Sequence, residues 1–134
     1  MKMNEFEEKL VEALESGRYE QTRGALKEAD RQKFCCLGVA CEISEMGKWE
    51  TTVHKDTSYV VDNNDKVMYL LPYPVFNKIG WASRGGVLTP EGKRETGFES
   101  LVEANDAGTD FKTIASWIRK GYVKKKNKEW NDTH

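Results

Sequence analysis

The sequence predicts an α+β fold: a single small domain in which three to four helices surround a buried, cysteine-bearing helix beside a small antiparallel β-hairpin. Three observations carry that expectation. Residues 4–16 and 109–120 place apolar side chains at helical spacing behind capping signals. Residues 34–46 are apolar on nearly every side, as a helix in the middle of a core would be. Two β-rich runs, Thr57–Val61 and Lys66–Leu71, flank the turn-forming quartet DNND.

The first helix is expected from Asn4 to Ser16. Asn4 can cap it with Glu7 at the reciprocal position, Phe6, Leu10, Ala13 and Leu14 form the apolar stripe, and Gly17 can close it in a left-handed turn. Tyr19–Lys33 mixes helical residues with Gly24 and a weak apolar pattern, and no element is assigned to it. The cysteine helix follows over Phe34–Met46 and ends at Gly47. After the hairpin, Pro72 and Pro74 open a brief helical turn that Gly80 closes. Trp81–Gly97, rich in glycine, reads as a long loop with a short strand at Val87–Leu88. A helix over Thr96–Ala107 with a Thr96/Glu99 capping box comes next. The last, from Thr109 or Asp110 to Lys120, carries Phe111, Ile114, Ala115 and Ile118 on its core side.

A chain of 134 residues suits one domain, expected over 1–122, followed by a basic, flexible tail over 123–134. Residues 109–134 hold seven Lys/Arg against three acids, a balance of +4, while the other 108 hold 14 basic and 19 acidic groups, a balance of −5. An acidic amino terminus without a signal-peptide core, and no apolar run of membrane-spanning length, predict a cytoplasmic protein with no membrane partner.

The stretch FCCLGVACEI concentrates all three cysteines. Cys35 and Cys36 stand about 100° apart on a helix and cannot chelate as a C-x-x-C pair does, so neither a metal nor a cofactor is expected. A thiol enzyme would use Cys35 or Cys36 with His54 as base; small, apolar neighbours favour buried core cysteines instead. Gly38 in such a helix suggests that another segment approaches its backbone.

Two segments carry a resemblance. Cys35, Cys36, Leu37, Gly38, Val39, Cys41 and Glu42, then Asn105, Asp106, Gly108, Phe111, Ile114 and Ala115, resemble the core motifs of a family of small bacteriophage and prophage proteins. Ala104 stands where that family usually has leucine. The resemblance brings no catalytic residue. It implies a phage-borne accessory protein acting in an infected bacterium.

Candidate binding residues follow from chemistry. Arg84, Lys93 and Arg94 lie among glycine-loop amides suited to phosphate, with Trp81 available to stack on a base. Phe98, Leu101, Val102 and Asn105 share a helical face, so Asn105 needs a buried partner, expected at the start of the next helix; Asp106 follows it as a cap or a contact. These features fit a non-catalytic protein that blocks or sequesters a host component, a protein target or a nucleotide signal, in counter-defence. One alternative is a nucleic-acid regulator that offers Asp110, Lys112, Thr113, Ser116 and Arg119 to bases and Lys124, Lys125 and Lys126 to phosphates. The other is the thiol enzyme. Self-association is open on this reading.

Overall fold

The computed structural model describes residues 3–62 and 65–126. Helices α1 (Glu5–Glu15), α2 (Cys36–Ser44), α3 (Tyr73–Ile79), α4 (Pro90–Thr96), α5 (Leu101–Asp106) and α6 (Phe111–Arg119) accompany two small sheets. Strands β1 (Glu20–Gln21) and β2 (Lys33–Phe34) pair in parallel, and β3 (Lys48–Thr51), β4 (Thr57–Val60) and β5 (Lys66–Val67) form an antiparallel sheet in that order. The fold is α+β.

Local chemistry explains where α1 begins. Asn4 Oδ1 accepts the Glu7 N–H at 2.8 Å while Glu7 Oε1 accepts the Asn4 N–H at 3.1 Å, closing a capping box. Phe6, Leu10, Val11, Ala13 and Leu14 then bury one face against α2 and α6. At the other end Gly17 takes φ +78°.

Helix α2 is the centre of the core, with Cys36, Leu37, Val39, Ala40 and Cys41 all buried. It is shorter than the expected 34–46. Phe34 belongs to β2, and Cys35 is the N-cap, its Sγ accepting the Gly38 N–H at 3.3 Å. The reason is the segment before it: the Thr22 N–H donates to the Phe34 carbonyl at 2.8 Å and the Cys35 N–H to the Leu26 carbonyl at 3.0 Å, holding that stretch extended. Gly38 has the close neighbour its presence suggested. A Cβ there would lie 1.8 Å from the Leu26 carbonyl oxygen.

Strand β3 has no counterpart in the expected hairpin, which the structure widens to three strands; Asn63 and Asn64 of its turn lie outside the described residues. Trp49 of β3 rests against Tyr59 of β4 and Phe34 of β2, tying sheet to core. Pro72 and Gly80 bound α3 as expected.

The expected loop over 81–97 contains α4, capped by Thr89, whose Oγ1 accepts the Gly92 N–H at 3.0 Å, and closed by Gly97 at φ +81°. Thr96 therefore ends one helix and does not start another. The cap lies four residues on, where Ser100 Oγ accepts the Glu103 N–H at 3.2 Å and begins α5. Asp110 caps α6 through the Thr113 N–H at 2.8 Å, a bond that holds its carboxyl below the usual range.

The expected tail is folded where it is described. Val123 is buried and bridges to Leu88, Lys125 bridges to Trp81, and the Ala82 N–H donates to the Lys124 carbonyl at 2.8 Å. The rest of the tail lies outside the described residues. Among the described residues no helix is long and apolar enough to cross a membrane.

Candidate functional site

The cysteines are core residues. Cys35 and Cys36 are 2% and 1% exposed and Cys41 is fully buried. Burial pushes the Cys35 thiol up to about 11 and raises the other two well above the ordinary thiol range. A nucleophilic cysteine needs the opposite shift. His54, its expected base, is exposed in the turn between β3 and β4.

Asn105 and Asp106 form a clasp. Asn105 Oδ1 accepts the Cys36 N–H at 3.1 Å and Gln21 Nε2 at 2.8 Å, while its Nδ2 donates to the Thr22 carbonyl at 2.8 Å. The amide it satisfies opens α2, not the following helix as the sequence suggested. Gln21 Nε2 also reaches the Thr109 carbonyl at 2.7 Å, and Asp106 Oδ1 accepts the Gly24 N–H at 2.8 Å. Gly108, at φ +101°, leaves room for the Arg23 guanidinium, which a Cβ would meet at 3.0 Å. The Asn-Asp-x-Gly run thus fastens residues 21–24 to the core. Both polar atoms of the buried Asn105 side chain bond within the protein, while Asp106 is exposed beyond its bond to Gly24.

The glycine segment does not gather its expected residues into one site. Trp81 is fully buried, and its Nε1 donates to Glu7 Oε2 at 3.0 Å, so its ring is not offered to a base. Arg84 Nε donates to the Leu71 carbonyl at 2.7 Å and its guanidinium lies over the Tyr73 ring. Lys93 pairs with Glu99 at 3.6 Å, and Arg94 is exposed on α4. The glycines serve packing: Gly92 brings α4 within 2.8 Å of the Tyr122 carbonyl, measured from an added Cβ.

Three of the basic residues assigned to nucleic acid already have partners within the chain. Lys125 Nζ meets the buried Glu7 carboxylate at 2.6 Å. Arg119 holds Glu15 through two hydrogen bonds of 2.9 and 2.7 Å. Lys126 Nζ donates to Asn77 Oδ1 at 2.7 Å and stands over Phe76. Lys112 and Lys124 are exposed.

Sequence reasoning passed over an exposed file on and beside α3. Tyr69, Leu70 and Tyr73 are 56%, 36% and 55% exposed. Arg84 lies 4.4 Å from the Tyr73 ring centre, the Tyr73 and Phe76 rings meet at 6.2 Å, and Lys126 lies 4.4 Å from Phe76. One signal could have revealed it: residues 66–90 contain no aspartate or glutamate in a chain with 22 of them. Surface hollows of about 310 Å³, lined by Asn4, Phe6, Lys9 and Lys78, and of about 340 Å³, lined by Met46, Lys48, Glu50 and Val60, lie elsewhere.

Residues 1–122 match the model of one protein family, a domain of unknown function, DUF8296. The chain belongs to that family. Comparisons with curated proteins and with solved structures found no match.

Proposed function

We propose that this DUF8296 protein is a phage-borne accessory protein that works by non-catalytic binding, blocking or sequestering a protein of the infected bacterium in counter-defence. The observation that supports the reading is the exposed group Tyr69, Leu70 and Tyr73 beside Arg84. Tyrosine and arginine are enriched in protein interfaces, and adjoining exposed apolar side chains mark interaction surfaces. A protein target fits better than a nucleotide signal. Small ligands take concave sites, the file lines neither hollow, and Trp81 is committed to Glu7.

Native mass spectrometry of the protein purified gently from a bacterial host tests this. Added mass of protein size, released on denaturation, is the expected result. Bare multiples of the chain mass would overturn capture of a host protein, and added mass of nucleotide size would replace the protein target with a small ligand.

A further inference from the structure

We propose, building on the binding role above, that the file Arg84–Tyr73–Phe76–Lys126, with Tyr69 and Leu70 beside it, docks an acidic segment of the partner protein. Along the chain, residues 66–90 hold Lys66, Lys78 and Arg84 and no acid. Space adds Lys126, whose main-chain N–H donates to the Gly80 carbonyl at 3.0 Å and so fixes the C-terminal arm against the end of α3. Among the described residues neither Arg84 nor Lys126 has a carboxylate in ion-pair range, whereas Arg119, Lys93 and Lys125 each do. Two cations are therefore held in place on aromatic rings with no described carboxylate pairing with either.

The ring geometry selects the partner's chemistry. Single-stranded nucleic acid binds such surfaces by stacking bases on open aromatic faces. Here cations lie over Tyr73 and Phe76, and the two rings meet edge to face at 74°. A stacked guanidinium still directs N–H groups outward in its own plane, where a carboxylate takes them. Leu70, packed beside Gly85, and Tyr69 supply apolar surface for the side chains between the partner's acids. The segment recognised is accordingly acidic with interspersed apolar residues.

Fluorescence anisotropy with a short labelled peptide alternating glutamate and leucine tests the assignment on the whole protein. The peptide is expected to bind, a lysine–leucine control to fail, and Tyr73→Ser and Lys126→Glu each to weaken binding about tenfold. Both side chains are at the surface, and unchanged thermal unfolding of the variants verifies their fold. Failure of the acidic peptide, unaltered binding by both variants, or preferential binding of oligothymidylate would overturn it. Self-association abolished by Lys126→Glu would assign the file to a second copy, through the exposed Glu5, Glu8, Glu12 and Glu15 of its α1, and overturn a foreign segment. Native mass spectrometry separates the two readings. Host protein retained by a variant carrying both Tyr73→Ser and Lys126→Glu would keep host binding and remove this face; peptide bound here, with no host protein on the parent chain, would keep the face and remove host capture.

Discussion

Asn105 accepts the main-chain N–H of Cys36 across 69 positions of sequence, so a side chain of α5 caps the central helix of the core. Truncating it strands that amide together with the Thr22 carbonyl and the Gln21 side chain. Asn105→Ala is expected to cost about 2–4 kcal/mol, the scale of a buried donor left unsatisfied plus lost neutral bonds. Asn105→Asp should cost at least as much, because a buried carboxylate would face the Thr22 carbonyl. Urea denaturation measures both; a midpoint within error of the parent would refute the clasp.

Gly38 and Gly97 differ in why they are glycine. Gly38 has ordinary helical backbone, but its missing Cβ makes room for the Leu26 carbonyl; Gly97 sits at φ +81° with nothing within 4 Å. Gly38→Ala is expected to cost about 3 kcal/mol or more through overpacking, outweighing the roughly 1 kcal/mol of helix propensity gained. Gly97→Ala should lose only about 1–2 kcal/mol, the price of left-handed backbone. Thermal unfolding ranks them, and an equal loss would contradict the assignment.

Glu7 is 1% exposed and is shared by Asn4, Trp81 and Lys125. Removing one member of a buried ion pair leaves a charge without its partner, so Lys125→Met is expected to cost about 3–5 kcal/mol. Arg119→Ala, which breaks the exposed pair with Glu15, should cost less than about 1 kcal/mol. Chemical denaturation of the two variants compares them directly. The prediction fails if the losses match.

The Cys35 thiol, raised by burial from about 9.0 to about 11, makes stability depend on alkaline pH. In that window the unfolded chain has lost its thiol proton and the folded chain has kept it. The unfolded state binds fewer protons, so stability falls as pH rises from about 9 towards 11, by on the order of 2–3 kcal/mol for this group. Cys35→Ser keeps an N-cap oxygen and is expected to flatten part of that fall. Denaturant midpoints across the range measure it, and identical slopes for parent and variant would remove Cys35 as the source.

Much of the fold was legible because its signals are local. The Asn4/Glu7 capping box, the stripe of α6 and the Pro72…Gly80 bounds are short-range patterns read within one turn or two. The segment 19–33 stayed unassigned because distant groups hold it: Asn105, Asp106 and Phe34 supply its hydrogen bonds. The boundary between α4 and α5 shifted because Thr96 and Ser100 carry similar capping chemistry, and packing of Leu101 and Gly86 decides between them. Trp81 shows the same limit at the candidate site. Its spacing beside Arg84 suggested a ligand, whereas a carboxylate 74 residues earlier claims its N–H.

The pairing of Glu7 with Lys125 also orders the protein's synthesis. Lys125 is made long after α1, so a growing chain carries the Glu7 carboxylate through translation without the ammonium that neutralises it. The core cannot close in its final form until Val123–Lys126 has cleared the ribosome and docked beside Trp81 and Leu88. A message cut short at residue 122 would encode every residue that the family match covers and still release a chain lacking the bridges that Val123 and Lys125 make to Leu88 and Trp81.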